Sequence, residues 1–575
     1  MNADHTNQSE NLIAAAINAA EDIGNPLNGL VERTAADTGE AESQATTIVR
    51  LATDAGAELF HTPAGDSYIT IRVNGHREHH QLGGRGSRDY LTRIFYLETG
   101  RAPNATALQN AIATLSGIGR FDGGEHDVHV RVAGANDRIY LDLGDASHRA
   151  VEITSSGWQV IADSPVRFRR PRGVLALPAP ERGGSIADLR PFVNVATDDD
   201  FVLLVMWALA AFRPSGPYPI LVFMAEQGAA KTTTTRALRR LCDPNESDVR
   251  RPPRNTEDLM IAATNGHVVA FDNLSRLPED LSDNLSVLAT GGGFAVRQLY
   301  TNKEEELFQA QRPIILNGIS QVATRGDLLD RAIVATLPPI PEERRKDEAT
   351  FWREFDQARP RILGALLDAA SCGLRRVPEV HLERKPRMAD FAVWGCAVET
   401  ACPWPVGTFL RVYAGNRQNA VDAILDGDPV ADVVQKIAPW TGTASELLAE
   451  LTKRTPGSVT GRKDWFVKPR QVSDALRRLA PSLRRTGIEV TFLKHGHGRT
   501  RLIEMERKTA PAASAASARL DYQAGSADIR QGSFARASAD SSADCTDVSR
   551  GTDDADAADA VQARSSGDDE WEQPW

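Results

Sequence analysis

The sequence predicts an α/β protein built in several parts, and three observations carry that reading. Between about residues 196 and 345, short apolar runs alternate with helix-patterned stretches, the pattern of strands interleaved with helices. Residues 46–195 carry short strand-like segments separated by turns, whereas 346–440 read as helical. A compact basic module fills 441–507, and both chain ends are acidic. A length of 575 residues accommodates this many parts, since one domain usually takes ~100–200 residues.

Charge is unevenly placed along the chain. The formal net charge is −11, yet residues 1–45 hold −7 and residues 511–575 hold −8, so the body between them is slightly basic. An acidic total therefore does not exclude a nucleic-acid partner. Residues 1–45 read as a mobile acidic segment. Residues 508–575 are rich in Ala, Ser, Asp and Gly and have too little apolar surface to offset chain entropy, so they read as a disordered acidic tail. The tail ends in DDEWEQPW, which suits either a solubilising tail or a peptide that docks on a partner protein. The longest apolar run, FVLLVMWALAAF (201–212), falls short of the ~20 residues of a membrane span and suits a buried helix. The start, MNADHTNQSE, does not have the pattern of a signal peptide, and the five cysteines include no C-x-x-C pair. The expectation is a cytoplasmic protein with no membrane partner.

Within 46–195, YITIRVNG alternates like a strand, RDYLTRIFYLETG and NATALQNAIATL have helical spacing, and DVHVRVAG, RIYLDLGD, AVEITSSG, WQVIAD and VRFRR read as short strands. Two groups invite a metal reading. Asp142 and Asp145 in LDLGD lack the Asp-x-Asp spacing of a primase site and suit a turn after a strand. His76, His79 and His80 in HREHH are followed by no matching Cys or His cluster and suit a solvated loop.

The chemistry concentrates in 196–345. LVFMAEQGAAKTT (221–233) is an apolar strand, a small-residue loop, a lysine and two threonines, followed by the helix-patterned TTTTRALRRLC. A strand–loop–helix directs free backbone N–H groups and a helix dipole at one point, where phosphates bind. The pattern departs from G-x-x-x-x-G-K-[ST], because Ala225 and Ala230 replace both glycines while Gly228 remains. The expected ATP contacts are Ala225, Glu226, Gln227, Gly228, Ala229, Ala230, Lys231, Thr232 and Thr233. Lys231 would reach the β- and γ-phosphates, and Thr232 with Asp272 would hold Mg²⁺. Asp272 ends the apolar run HVVAFDN; Asn317 ends RPIILNGI, where it would touch the γ-phosphate or attacking water; Arg331 lies in GDLLDRA, where a neighbouring subunit's arginine finger is often placed. Asn273 stands where many ATPases carry a glutamate, and an amide is a poor base, so Glu226 is the substitute considered for readying the water.

GGGFAVRQLYTNKEEELFQAQR reads as a β-hairpin with Lys303 near its tip and Arg297 on one arm. A phosphate loop, a strand ending in Asp, a hairpin, a strand ending in Asn and then an arginine together resemble a superfamily 3 helicase of the AAA+ class. More closely, about 125–505 resembles the replicative ATPase or primase–helicase proteins of phages and mobile elements. The resemblance implies an ATP- and Mg²⁺-dependent ring, a homo-hexamer, whose hairpins carry single-stranded DNA in the channel through Lys303 and Arg297. It also makes Arg387, in ERKPRMADFAVWG, a sensor-2 candidate.

Residues 452–502 hold 13 basic and 3 acidic residues. Their order is helix (ASELLAELTKR), short strand (DWFVK), helix (RQVSDALRRLAPSLRR) and two strands (IEVTFLKHG, RTRLIEM), the order of a winged helix. Arg470, Arg477, Arg478, Arg484 and Arg485 lie on or near the second helix, and Lys494, Arg499 and Arg501 around the wing. Such groups suit DNA phosphates, which give affinity rather than sequence choice. The expected architecture is thus α/β, with an AAA+ type P-loop ATPase core (196–345), an N-terminal α+β accessory domain, a helical lid, a C-terminal winged-helix-like domain and disordered acidic ends. The expected function is an ATP-dependent DNA helicase or translocase. The alternative is an initiator or regulator that uses ATP as an assembly switch.

Overall fold

The computed structural model describes residues 42–508, apart from 227, 275–276, 298–304, 319–325, 427, 462–464 and 496–499. The acidic ends therefore lie outside the described residues, as do Gln227, Lys303 and Arg499, and of Arg297 only the backbone is included. All described residues fall in one compact unit, Met1–Leu520.

The chain begins with α1 (Gln44–Asp54), whose first turn is capped by the Ser43 hydroxyl. Strands β1 (Glu58–His61), β2 (Ser67–Val73) and β3 (His76–Gln81) follow, then α2 (Arg85–Thr99), α3 (Ala105–Phe121) and the short β4 (Gly124–Glu125). The sheet order is β3-β2-β1-β4. Ile48, Leu91, Phe95 and Leu115 from the helices pack on Leu59, Ile69 and Ile71. The histidine-rich stretch is not the expected loop: it is β3, in register with β2 from Val73↔His76 to Tyr68↔Gln81. The cause is the Asn74-Gly75 turn, with φ of 49° and 87°. Asn-Gly suits a hairpin turn that needs positive φ, and the turn fixes the register.

Next come β5 (Val128–His129), β6 (Val132–Ala135), β7 (Arg138–Asp142), β8 (Ala150–Thr154), β9 (Gly157–Ile161) and β10 (Arg167–Phe168). Strands β6 to β9 form an antiparallel meander, and β5 pairs with β10. Asp142 accepts from Arg170 at 2.6 and 3.0 Å, and Asp145 accepts from Arg149 at 2.7 Å, so both aspartates serve turn geometry.

The central layer contains α4 (Asp198–Ala211), β11 (Ile220–Met224), α5 (Lys231–Cys242), α6 (Thr256–Thr264), β12 (Val269–Leu274), α7 (Glu279–Thr290), the hairpin β13 (Gly293–Arg297) and β14 (Glu305–Gln309), β15 (Ile314–Gly318), α8 (Gly326–Leu329) and β16 (Ala332–Thr336). Strands β12, β15, β11 and β16 lie in that order, all parallel. Helices cover both faces, which explains why the strands are continuous apolar runs rather than alternating ones. Helix α4 starts at a capping box between Thr197 and Asp200 and is buried from Phe201 to Ala211. Burying each of its large side chains contributes about 1.5–3 kcal/mol. Among the described residues no helix is long and apolar enough to cross a membrane.

The meander shares this core: Val132, Leu141, Val151 and Ile153 belong to one buried cluster with α4, Leu221 and Phe223. Arg131, almost wholly buried, pairs with Asp243 at 3.0 Å and donates to the carbonyls of Asp142 and Leu175. The expected boundary at 195 therefore runs through a single hydrophobic core.

The remainder comprises α9 (Glu348–Arg376), α10 (Ala389–Glu399), α11 (Thr408–Asp426), α12 (Pro429–Ile437), β17 (Trp440–Thr443), α13 (Ala444–Arg454), α14 (Gly457–Thr460), α15 (Pro469–Arg485), β18 (Ile488–His495) and β19 (Thr500–Arg507). The last sheet is antiparallel in the order β17-β19-β18. The third strand is not DWFVK. Residues 465–468 form no strand; Trp465 and Phe466 pack on the module's core, and Pro469 then opens α15. The partner of β19 comes earlier, at Trp440–Thr443.

Candidate functional site

Strand β11 delivers the small-residue loop to the carboxyl end of the parallel sheet, where open α/β sheets place their ligand crevice. The loop is pinned from behind by Asn194, whose side-chain amide donates to Ala229 O at 2.9 Å and Pro338 O at 2.6 Å. Ala230 takes the left-handed conformation, φ 53° and ψ 34°, just before α5. A side chain in that region costs about 1–2 kcal/mol, so surrounding contacts must hold it. Gly228 has φ 84°, which a glycine adopts freely.

Helix α5 starts at Lys231 without a side-chain cap, leaving N–H groups of its first turn directed at the loop. Lys231 Nζ donates to the carbonyls of Ala225 and Glu226 at 2.7 and 2.8 Å. One residue on, Thr232 Oγ1 donates to Asp272 Oδ2 at 2.6 Å. Asp272 Oδ1 accepts from the Asn273 N–H at 2.8 Å. Asn273 is exposed and has φ 63°, a left-handed backbone that asparagine tolerates better than most residues, near the end of β12. Thr235, a turn further along α5, donates to Asn317 Oδ1 at 2.8 Å. Asn317 is fully buried, and its Nδ2 has no hydrogen-bond partner among the described groups. A buried donor without an acceptor costs roughly 1–3 kcal/mol, a cost the fold carries at this position.

The structure therefore brings Lys231, Thr232, Asp272 and Asn317 together from α5, β12 and β15. Thr233 is half-buried on the same first turn, and Glu226 is exposed on the loop. Asn194 and Thr235 were not singled out from the sequence. Neither has a motif, and both act by fixing the loop and the Asn317 amide. Chemically, the set offers an ammonium and helix amides for phosphate oxygens, and a hydroxyl with a carboxylate for a divalent cation.

Arg331 follows α8 and lies folded onto that helix, with Asp327 Oδ2 at 2.5 Å and only 17% of its side chain exposed. The same helix and its flank gather other arginines. Arg387 bonds Asp327 at 2.8 Å and Asp330 at 3.3 Å, while Arg417 and Arg485 approach Asp330 at 3.9 and 2.7 Å. Burial raises the Asp327 pKa, but Arg331 and Arg387 outweigh it and hold the carboxyl below its ordinary range. Arg387 thus reaches the aspartates around α8.

The basic module divides in a way composition does not reveal. Arg478, Lys494 and Arg501 are exposed, and Lys494 pairs with Arg501 across β18 and β19. Arg477 is also exposed, near Asp474 at 3.3 Å and over the Phe492 ring at 4.4 Å. Arg470 is 90% exposed, 3.7 Å from Asp474. Arg484, itself exposed, is engaged by Glu489 at 2.8 Å, and Arg485 by Asp330 at 2.7 Å. Strands β13 and β14 form the expected hairpin, paired from Gly293↔Gln309 to Arg297↔Glu305.

Residues 186–417 match the family model described as the actinomycete integrative conjugative element replication protein, and residues 427–519 match that of the AICE RepA C-terminal domain. Over these segments the chain is similar to a mobile-element replication protein. This agrees with the kinship expected from the order of motifs, and the gap between the matches falls at the end of α11. No curated protein matches. Among solved structures, the apo NrS-1 C-terminal region is 11% identical, with 81% of this chain and 100% of that chain covered and a TM-score of 0.38. A JCV helicase is 15% identical over 36% of this chain and 67% of that one, with a TM-score of 0.21. Likenesses at those TM-scores carry no functional inference.

Proposed function

We propose that this chain is an ATP-dependent DNA helicase or translocase serving the replication of a mobile element. The observation that carries the reading is the convergence of Lys231, the Thr232–Asp272 pair and Asn317, whose Nδ2 has no partner among the described groups, at one end of a parallel sheet. Bound ATP with Mg²⁺ supplies the phosphoryl group and neutralises its charge. Thr232 and Asp272 hold the cation, Lys231 and the α5 amides bind phosphates, and Asn317 Nδ2 donates to the terminal phosphate or the attacking water. Catalysis of this kind is positioning plus charge stabilisation.

The strand order β12-β15-β11-β16 and the hairpin before β15 support an AAA+ type core. The succession α12, β17, α13, α15, β18, β19, with sheet order β17-β19-β18, supports a winged-helix module. In this reading the chain assembles as a homo-hexamer, Arg331 leaves Asp327 to serve a neighbouring subunit, and the β13–β14 hairpin with Lys303 tracks single-stranded DNA. Arg477, Arg478, Lys494 and Arg501 contact DNA phosphates from the basic module.

Asn273 favours a second reading, in which the chain is an initiator or regulator and ATP is an assembly switch, because no acid follows Asp272 to ready the water. A strand-displacement assay on a forked duplex separates the two. The helicase reading expects ATP-dependent unwinding that Lys231→Ala abolishes. ATP-dependent assembly on DNA without unwinding supports the switch.

A further inference from the structure

Three histidines converge on one carboxylate away from the phosphate loop. On β3, His76 Nε2 lies 3.1 Å from Glu78 Oε1 and His80 Nε2 lies 2.9 Å from Glu78 Oε2. From the β7–β8 turn, His148 Nε2 reaches 3.7 Å from Glu78 Oε1. The donor atoms of His76, Glu78 and His148 all lie within 4.8 Å of one another. Bonds of about 2.0–2.2 Å around a tetrahedral zinc put neighbouring ligand atoms roughly 3–4 Å apart. The separations of 3.1 and 3.7 Å already match that edge.

We propose that His76, Glu78 and His148 bind one transition-metal dication, zinc by the chemistry of two imidazoles and a carboxylate, and that the ion fastens β3 to the β7–β8 turn. His148 has φ 53°, a left-handed conformation uncommon outside glycine, and its ring reaches Glu78 from there. His80 takes the other carboxylate oxygen and orients it, the usual task of an outer partner. Gly86 makes room for His80, since a Cβ there would lie 2.3 Å from its Nδ1. His79 is excluded from the set because strand alternation turns it to the opposite face of β3 from His76 and Glu78, where it pairs across the sheet with Thr70. The His76 and His148 rings stack at 4.5 Å and 11°, so one ring turns about χ2, a soft torsion, as the ion binds.

The site also has an entry. Glu78, His80 and His148 line a cavity of about 260 Å³ together with Arg85, Arg169 and Arg170. The Arg170 charge there is offset by Asp142 at 2.6 Å and that of Arg85 by Asp89 at 3.4 Å. The fourth zinc position takes water or an anionic group.

The test is equilibrium dialysis of the full-length, tag-free chain against Zn²⁺, read by elemental analysis, with Co²⁺ as a spectroscopic probe. Expected is one zinc per chain and a tetrahedral Co²⁺ absorption band. Each of His148→Ala and Glu78→Gln lowers affinity at least tenfold, while His381→Ala, at an exposed histidine elsewhere, leaves it unchanged. A chelator lowers the unfolding midpoint of wild type but not of Glu78→Gln. If His148→Ala does not fold, Glu78→Gln, which preserves side-chain shape, carries the test alone. Wild type binding no more zinc than Glu78→Gln overturns the proposal and leaves a hydrogen-bonded histidine cluster.

Discussion

Arg485, the last residue of α15, lies 2.7 Å from Asp330, the neighbour in sequence of Arg331. Asp330 also faces Arg387 and Arg417, so one carboxylate joins the basic helix, the start of α10 and α11 to the edge of the parallel sheet. Asp330→Ala leaves three guanidiniums without their common partner. The expected cost is about 1–3 kcal/mol, with faster amide exchange in 469–485. Urea unfolding and hydrogen exchange check both.

The same relationship ranks the arginines for DNA. Arg485→Ala is expected to change DNA affinity and its salt dependence little, because the side chain is already engaged. Arg477→Ala with Arg478→Ala removes exposed charges and lowers the salt slope by about 0.7 for each single-strand phosphate left without its cation. Salt titration of single-stranded DNA binding decides it; equal effects would mean Arg485 turns outward on DNA.

Asn317 does two things: its oxygen accepts from Thr235, and its nitrogen has no partner among the described groups. Asn317→Ala is expected to lower kcat for ATP roughly 10–100-fold and to change nucleotide affinity less than about threefold. Steady-state kinetics beside equilibrium nucleotide binding tests this split. A loss confined to binding would make Asn317 a ground-state contact.

Cation dependence should reside in the Thr232–Asp272 pair. Chelating Mg²⁺ is expected to weaken ATP binding to wild type at least tenfold. The Asp272→Asn chain, lacking the charged ligand, should bind weakly with or without Mg²⁺. Fluorescent-nucleotide titration with and without chelator reads both.

His267 supplies a pH dependence of stability. Burial, then Arg312, lowers its pKa from 6.5 to about 4, and Nε2 lies 2.6 Å from Ala211 O. The folded state therefore resists protonation while the unfolded state accepts it. Stability from this group is complete above pH 6.5 and is lost as pH falls toward 4, by roughly 3 kcal/mol at most. His267→Gln, which keeps a donor for Ala211, should flatten that slope in denaturant melts between those pH values.

Much of the central layer was legible because its strands are continuous apolar runs ending in chemistry: ILVFM before the loop, VAFDN, and IILNG. The buried helix at 198–211 announced itself through its apolar run, whereas its capping box emerged only in the structure. What escaped depended on contacts between distant residues. No local pattern links Arg131 to Asp243 or His148 to Glu78. The β3 hairpin was legible in Asn74-Gly75, but histidine content drew the reading to a loop. DWFVK looked like a strand because its aromatics are apolar and bulky, yet they pack as anchors before Pro469. In the site, motif residues were readable, whereas Asn194 and Thr235 matter only through geometry.

The helicase reading meets its sharpest test in the ATP hydrolysis rate of the full chain with and without single-stranded DNA, beside Lys231→Ala. Expected are measurable hydrolysis by wild type, stimulation by DNA, and a loss of at least about a hundredfold in Lys231→Ala. Equal rates for wild type and Lys231→Ala in both conditions would contradict it.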